Sequence, residues 1–381
     1  MDFQLSEEEV SIQKATREFV DKVIVPRAAE IDETDEFPRD ILKKIAEVNL
    51  LDLELSPELG GLGMAGVPAA ITAEEVARGS AAMSGLLTSF RQNMWILEKF
   101  GTPAQQEKWI PGMASGDIIP SFALTEPNAG SDAGGVTTTA ELEGDEYVIN
   151  GTKTFCTLAP VADFTHVVAL TDRSKGKKSL SCIIVESDRP GYMVGKHERK
   201  MGQRGNPVAE IHFENVRVPR ENLVGKEGEG FKIALSSLDP ARIYVAALAL
   251  GIMQASLEAS VKYAKQRVQF GQPIAEFQAI QWMIADMRTS LEAARLLTYQ
   301  AAFLMTTGRR YTLEAAMAKL FATDECMKHV SNAVQIHGGY GYMKDYPVER
   351  YFRDTKITQI YDGTNEIQRL VIARQVLEAI K

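Results

Sequence analysis

The sequence predicts an α+β protein in which a helical region, a β region and a second helical region follow one another. Through the first 119 residues, apolar side chains recur at three- and four-residue spacing, which is typical of helices with one buried face. From about residue 120 the chain changes to short segments rich in Val, Ile and Phe, and from about residue 227 the long helical pattern returns. We therefore expect three domains, at residues 1–119, 120–226 and 227–381.

Two helix starts in the first region are marked by capping boxes, in which a Ser or Thr and a Glu or Gln three residues later satisfy each other's free backbone N–H groups. Ser6 with Glu9 forms one box, and Thr102 with Gln105 forms the other. Pro103 stands at the first helical position, where its missing N–H is not needed. We expect helices to begin at both places.

The β region contains strands joined by turns without helical crossovers, which favours an antiparallel sheet. Turn-forming residues separate the segments, as at 143–145 and 172–178. Strands are expected at Glu146–Ile149, Phe164–Leu170, Leu180–Glu186 and Ala209–Phe213.

Composition limits the partners that the chain can have. The formal net charge of -9 disfavours binding to nucleic acid or to anionic lipid, so neither partner is expected. The acidic N-terminus lacks the apolar stretch of a signal peptide, and the apolar run Ile243–Leu257, interrupted by Gly251, is too short to cross a bilayer. Three widely spaced cysteines indicate reduced thiols, and no metal site is expected because there is no CxxC pattern. The sequence therefore predicts a soluble, cytoplasmic protein in which the apolar run is a buried core helix.

Residues 61–66 fit the dinucleotide-binding pattern GxGxxG. The pattern does not lie in a strand–helix–strand unit, and no acidic residue follows at the expected distance. A loop between two helices is the better interpretation.

A ligand-binding segment is indicated at residues 122–135, which contain three glycines. With Thr125, Asn128 and Ser131, these glycines leave backbone N–H groups and hydroxyls open to the oxygens of a ligand. A polar turn at the start of a sheet explains the same residues equally well.

A second such segment is residues 150–157. Asn150-Gly151 indicates a turn at a strand end, after which Phe155 and Thr157 share one strand face. An aromatic wall beside a hydroxyl suits a flat heterocycle, although core packing explains Phe155 equally well.

The C-terminal region adds three glycine-containing breaks between helices, at residues 267–278, 335–342 and 361–368. Arg267 is a candidate partner for a pyrophosphate because its charge is permanent, but a lone arginine at a helix end is more often a surface charge. Asp362 precedes Gly363, and on sequence chemistry alone a helix cap is the favoured role of its carboxylate.

Taken together, these segments resemble the acyl-CoA dehydrogenase family from Phe3 to Ile380, with five motifs in the same order and spacing, including Val218–Gly225 and Leu238–Arg242. The resemblance implies an N-terminal all-α domain, a middle antiparallel β-domain and a C-terminal four-helix bundle, assembled as a homotetramer. It also implies FAD as the cofactor and electron-transfer flavoprotein as the electron acceptor.

The resemblance further implies which residues form the site. Cofactor-binding residues would be Phe122, Leu124, Thr125, Gly130, Ser131, Phe155, Thr157, Arg267, Phe270, Gln278, Gln335, Gly338, Gly339, Thr364 and Glu366. Ser131, Asp239, Arg242 and Gly363 would contact the CoA thioester. Asp362 would be the catalytic base that removes the α-proton, while its backbone N–H and the ribityl 2′-hydroxyl stabilise the developing enolate. The β-hydrogen would leave as hydride to the flavin.

The chain departs from the family at that base, because Asp362 stands where the family generally has glutamate. Aspartate reaches about 1.5 Å less far, and a misplacement of around 1 Å can cost about 10²-fold in rate. A cyclic or α-branched acyl group is therefore our substrate hypothesis, because a shorter base leaves room for bulk near the α-carbon.

Arg91, Gln92 and Asn93 are a second departure, because they fall where the family lines its acyl pocket with apolar side chains. Consecutive helical residues cannot all face one side, so we expect some of the three to point outward. The alternative is a polar or bulky acyl group.

Three rival functions remain open on the sequence. A flavin oxidase of nitroalkane type also uses an aspartate base, but the retained Asp239–Arg242 segment argues against it. An enoyl-CoA reductase would run the same site in reverse. A non-catalytic flavoprotein that binds DNA is disfavoured by the net charge of -9.

Overall fold

A computed structural model describes residues 4–380 of the chain. Residues 1–3, including Phe3, and Lys381 belong to the predicted first and last domains but lie outside the described range. Within it, the predicted succession of helical region, sheet and helical region is confirmed.

The first region is helical, and both predicted capping boxes are present. Glu9 N–H donates to Ser6 Oγ (3.2 Å) while Ser6 N–H donates to the Glu9 carboxylate (2.8 Å). In the second box, Gln105 N–H donates to Thr102 Oγ1 (3.3 Å) and Thr102 N–H donates to Gln105 Oε1 (3.0 Å). Residues 61–66 form an irregular segment that leads into a helix, as expected. The helices are α1 Glu7–Phe19, α2 Ala28–Thr34, α3 Arg39–Glu47, α4 Val67–Gly79, α5 Ala81–Phe100 and α6 Pro103–Ala114.

The middle region is an eight-stranded sheet in the order β6-β7-β3-β2-β4-β5-β8, with β1 added beside β4. Its pairs are antiparallel except that β1 and one residue of β2 run parallel to β4. The strands are β1 Pro120–Ala123, β2 Thr139–Glu143, β3 Glu146–Thr157, β4 Phe164–Leu170, β5 Leu180–Glu186, β6 Tyr192–Val194, β7 Val208–Pro219 and β8 Leu223–Val224.

One local prediction in this sheet is wrong. Asn150-Gly151 does not end a strand, because β3 continues through it with a shift of register against β7. Gly151 takes a φ of +149°. Across the bulge, the backbone N–H of Asn215 donates to Asn150 Oδ1 (2.8 Å), and Asn150 Nδ2 donates to Asn215 Oδ1 (3.2 Å). A bulge uses the same residue types as a turn, so the short pattern alone does not distinguish them.

The last region is a helical domain in which α9 packs against α7, α8 and α11. A two-stranded hairpin of β9 Val268–Gln269 and β10 Gln272–Pro273 joins α7 to α8. The helices are α7 Gly230–Gln266, α8 Gln278–Met305, α9 Thr312–His337, α10 Val348–Thr355 and α11 Asn365–Ala379.

The helix α7 is the central element of the molecule. By length and composition it could cross a membrane, but 83% of its most apolar window is buried inside the protein, which agrees with the predicted core helix. Gly251 does not interrupt it. A β-carbon on Gly251 would lie 2.2 Å from the carbonyl oxygen of Glu74, so the glycine allows α7 and α4 to pack in close contact.

This contact predicts that Gly251→Ala destabilises the protein, although alanine is the better helix former by about 1 kcal/mol. The methyl group has to push the backbone of α4 away, and overpacking of this kind costs about 1–3 kcal/mol. The free energy of unfolding in urea measures the net effect of the better helix propensity and the overpacking. Gly130→Ala is the matched control, because a β-carbon there meets no atom within 4 Å. Equal or greater stability of Gly251→Ala would show that the helices have room to separate.

Candidate active site

The segment after β1 is held in place by a buried ion pair. Lys153 Nζ, on β3, donates to Glu126 Oε1 (2.8 Å) and to the carbonyl oxygen of Leu124 (3.0 Å), and Lys153 is fully buried. The N–H of Thr154 donates to the carbonyl oxygen of Thr125 (2.9 Å). These bonds fix Leu124 and Thr125 against the strand that carries Phe155.

The charge on Glu126 is well stabilised. Burial disfavours its ionised form, but Lys153 and hydrogen bonds from Thr137 and Thr138 outweigh that effect and hold the pKa of Glu126 at about 2. Sequence reasoning missed both Glu126 and Lys153. The available signal in the sequence was a charged residue in the middle of the segment that forms β3.

Phe155 is an exposed aromatic side chain, so the core-packing interpretation is wrong. Its ring is 71% exposed, and its backbone is left-handed (φ 56°) at a bulge between Lys153 and Cys156. Cys156 points into the core instead. Thr157 is partly buried, so Phe155 and Thr157 do lie on the side of β3 away from the core.

The segment around Gly130 is open to solvent. Gly130 and Ser131 are exposed, and a β-carbon on Gly130 would meet nothing within 4 Å. Phe122, Leu124 and Thr125 are partly buried beneath. An open aromatic face beside a glycine-containing strand end fits a planar cofactor with oxygen-rich substituents.

A second group of predicted residues comes together at the end of α7. The Arg267 guanidinium lies 5.6 Å from the ring centre of Tyr340, next to Gly338 and Gly339, whose surroundings are open. Arg267 is therefore not an isolated surface charge. Phe270, at the tip of the hairpin, is 96% exposed. Gln278 and Gln335 are exposed as well.

These two groups form separate surfaces of one chain. Among residues 4–380, no hydrogen bond, ion pair or ring contact joins Arg267 or the 335–340 segment to Phe155 or to residues 122–131. A ligand that uses both groups has to bridge a gap or contact a second copy of the chain.

The loop before α11 presents Asp362 in a left-handed conformation (φ 53°). The helix-cap interpretation of Asp362 is wrong, because Thr364 caps α11 by accepting the N–H of Ile367 (3.3 Å). The backbone N–H of Asp362 donates to no acceptor among the described residues. Both its carboxylate and its N–H are thus available to a ligand. Glu366 is exposed on the first turn of α11.

A buried lysine supports this loop. Lys319 Nζ, on α9, donates to the carbonyl oxygen of Gly363 (3.0 Å) and to Asn365 Oδ1 (2.8 Å), and Lys319 is fully buried. Gln368 Nε2 donates to the same Gly363 oxygen (2.8 Å). Sequence reasoning missed Lys319, although a lysine among the core alanines of α9 is the signal that could have identified it.

Burial and charge act in opposite directions on Asp362. Burial raises the pKa of its carboxyl, while the positive charges of Lys319 and Arg242 hold that pKa down. Burial also lowers the pKa of Lys319 to about 8, and the negative charge of Asp362 opposes this shift. A carboxylate with a raised pKa in a cleft is suited to proton abstraction.

Asp239 and Arg242 form an ion pair (2.7 Å) on α7. Thr312 Oγ1 donates to the other oxygen of Asp239 (2.8 Å). Arg242 is buried, yet its Nε has no partner among the described residues. Its Nη2 lies 4.0 Å from the position of a β-carbon on Gly363, which places this pair beside the Asp362 loop.

The expectation that some of Arg91, Gln92 and Asn93 point outward is wrong, because none of them is exposed. Asn93 turns towards β4 and contacts His166 Nδ1 through its Oδ1 (2.7 Å). Gln92 Nε2 donates to Ser237 Oγ on α7 (3.1 Å). Arg91 and Gln92 line a cavity of about 370 Å³ between α5 and α7.

Three family models match the chain. They are "Acyl-CoA dehydrogenase, N-terminal domain" over residues 6–117, "Acyl-CoA dehydrogenase, middle domain" over 121–216 and "Acyl-CoA dehydrogenase, C-terminal domain" over 228–377.

Individual proteins match over nearly the whole length. Acryloyl-CoA reductase (NADH) of Anaerotignum propionicum is 47% identical over 99% of this chain and 96% of its own. The solved butyryl-CoA dehydrogenase of Megasphaera elsdenii has a TM-score of 0.96 and 40% identity over 99% of this chain and 100% of its own. A chain from the structure of the electron transferring flavoprotein of Acidaminococcus fermentans has a TM-score of 0.97 and 44% identity over 99% of this chain and 100% of its own.

The support under the Asp362 loop predicts that Asn365→Ala destabilises the protein by about 1–3 kcal/mol, because it leaves buried donors without acceptors. Asn365 is 3% exposed and accepts from Lys319 while donating to Thr323 (2.9 Å). Urea unfolding measures the change, with the exposed Ser331→Ala on α9 as the control. A change below about 0.5 kcal/mol, typical of surface substitutions, would contradict this assignment.

Proposed function

The chain belongs to the acyl-CoA dehydrogenase family, and from this premise we propose that it is an oxidoreductase that introduces an α,β double bond into a short acyl-CoA, with Asp362 as the base. The observation that carries the proposal is the Asp362 loop. It combines a carboxylate of raised pKa with an unused backbone N–H, next to the Asp239–Arg242 pair.

The chain's own residues would act on the α-proton as follows. The Asp362 carboxylate removes the proton from the α-carbon, and negative charge then builds on the thioester carbonyl oxygen. The free N–H of Asp362 donates to that oxygen and stabilises the charge. Burial raises the pKa of the Asp362 carboxyl, and Lys319 and Arg242 oppose that rise by favouring its ionised form.

The short base limits where the substrate can bind. Lys319 and Gln368 both hold the carbonyl oxygen of Gly363, so the loop cannot easily advance. The missing methylene, about 1.5 Å, has to be made up by a substrate that lies closer to the backbone.

FAD would supply the hydride acceptor for the β-hydrogen. Phe155 would cover the flavin ring, with Phe122, Leu124, Thr125, Gly130, Ser131 and Thr157 around it. Arg267, Phe270, Gln278, Gln335, Gly338 and Gly339 would hold the remainder of the cofactor from a second subunit of a homotetramer. Thr364 and Glu366 would contact it beside the base, and Ser131 and Gly363 would also contact the thioester.

A short acyl group is favoured by the butyryl-CoA dehydrogenase comparison. No relative named above supports the cyclic or α-branched acyl group suggested by the short base. Electron-transfer flavoprotein is proposed as the acceptor, because a chain so similar was solved in the structure of such a flavoprotein. We also propose that the reaction takes place in the cytoplasm.

The reverse reaction is the second candidate, because a protein 47% identical to this chain is an acryloyl-CoA reductase. The same Asp362 carboxyl would then donate the proton to the α-carbon. Oxidation of the reduced flavin by enoyl-CoAs, measured beside its reduction by acyl-CoAs, gives the favoured direction.

We predict that Asp362→Asn loses flavin reduction by acyl-CoAs, because an amide cannot accept the α-proton. The rate should fall about 10²–10⁴-fold, the usual contribution of a general base. The measurement is anaerobic bleaching of flavin absorbance with butanoyl-, 2-methylpropanoyl- and cyclohexanecarbonyl-CoA. The exposed Asp345→Asn is the charge-matched control. Bleaching that survives in Asp362→Asn would move the base elsewhere, and peroxide formation without CoA substrates would support the oxidase.

We also predict that Lys319→Met moves the acidic limb of the kcat/KM profile to higher pH. Lys319 lowers the pKa of Asp362, so its removal raises that pKa, and the ionised base then appears only at higher pH. The profile is measured with butanoyl-CoA and an artificial acceptor. Lys328→Met, exposed on the same helix, is the control. A uniform loss of activity with an unmoved limb would indicate a purely structural role.

A further inference from the structure

The cavity between α5 and α7 is closed on its third side by residues 51–65. Apolar groups form part of its wall, but polar side chains from all three elements also face it. They include Glu54, Arg91, Gln92, Glu98, Ser237 and Tyr244.

Most polar groups in this wall already have partners. Arg91 donates to the carbonyl oxygens of Leu50 (2.9 Å) and Ala69 (3.0 Å) and to Thr72 Oγ1 (2.9 Å). Glu98 accepts the N–H of Ser56 (3.3 Å) and pairs with Lys99 (3.3 Å).

Glu54 is the exception. Tyr244 O–H donates to its Oε2, but its buried Oε1 accepts no hydrogen bond from the described protein. Arg91 Nε lies 3.4 Å from Oε1 without forming one, because that N–H is directed to the carbonyl oxygen of Leu50 (3.3 Å). A buried carboxylate oxygen without a donor is costly, so it marks a place where a ligand can supply one.

The cavity and the proposed catalytic loop both adjoin α7. Ser237, Ala241 and Tyr244 face the cavity at helical spacing along α7. Arg242, the residue after Ala241, is directed to the Asp362 loop. An acyl group whose α-carbon meets Asp362 would have to follow α7 to reach Glu54.

We infer that this cavity receives the far end of the acyl group and that Glu54 accepts a hydrogen bond from a hydroxyl or amino group carried there. The inference rests on the proposed function and narrows its substrate class to short acyl-CoAs that end in a hydrogen-bond donor. A plain alkyl end would leave Glu54 Oε1 without a partner and would be the poorer substrate.

The test compares anaerobic flavin reduction by 4-hydroxybutanoyl-, 4-aminobutanoyl- and butanoyl-CoA. At least one donor-bearing thioester should reach half-bleaching at a concentration about tenfold or more below that of butanoyl-CoA, as expected for a hydrogen bond to a charged group. The hydroxyl and amino compounds show which donor the site prefers.

Glu54→Leu should abolish the preference, because it removes the acceptor. Glu54→Gln keeps an acceptor and a partner for Tyr244, so it should retain any hydroxyl preference and lose an amino preference. Glu58→Gln, exposed four residues further along, is the control and should behave as the wild type.

Three outcomes overturn the inference. If butanoyl-CoA bleaches the flavin as well as the donor-bearing thioesters, the inference fails while the proposed function stands. The inference also fails, and the proposed function also stands, if the preference for donor-bearing thioesters survives in Glu54→Leu. If Glu54→Leu does not fold, survival of an amino preference in Glu54→Gln has the same meaning. If no thioester bleaches the flavin, the proposed function and the inference fail together.

Discussion

The arrangement at Asp362 depends on one buried ammonium group. Lys319 reaches from the core of α9 to the carbonyl oxygen of Gly363 and to Asn365, so it ties the bundle to the loop that precedes α11. A lysine is rarely buried unless its donors are satisfied, and here the loop backbone satisfies them. The same charge then acts on the neighbouring carboxylate. Structural support and electrostatic tuning of the proposed base are therefore two effects of one side chain.

A second buried lysine serves the β-domain in a similar way. Lys153 joins β3 to the segment after β1 through Leu124 and Glu126, so the two stretches proposed to contact the cofactor are fixed relative to each other. The helix α7 packs against α4 through Gly251 and carries Arg242 on the side of the Asp362 loop. The loop that carries the proposed base is held by side chains of α9 and α11, which suits a reaction that tolerates little misplacement.

The fold was largely predictable because its signals are local. The capping boxes at Ser6 and Thr102 and the four strand segments need only neighbouring residues to be identified. The candidate site was less predictable from the sequence. Lys153 and Lys319 meet partners 27 and 44 residues away, and no local pattern announces such pairs. Asp362 and Thr364 are both good cap residues, and only the backbone at Asp362 decides between them. The bulge at Gly151 likewise depends on Asn215, which lies on another strand.

Phe155 has a consequence for the chain as a folding molecule. A left-handed backbone at a bulky residue costs about 1–3 kcal/mol, and its ring gains little from burial while it faces water. The protein alone is thus less stable than the same protein with the Phe155 ring covered, and the exposed ring favours association with other apolar surfaces. By thermodynamic linkage, a ligand that binds only the native state adds about 1.4 kcal/mol to stability for each tenfold rise in its concentration above Kd. Cellular supply of that ligand would then govern how much of the protein accumulates as well as how much of it is active.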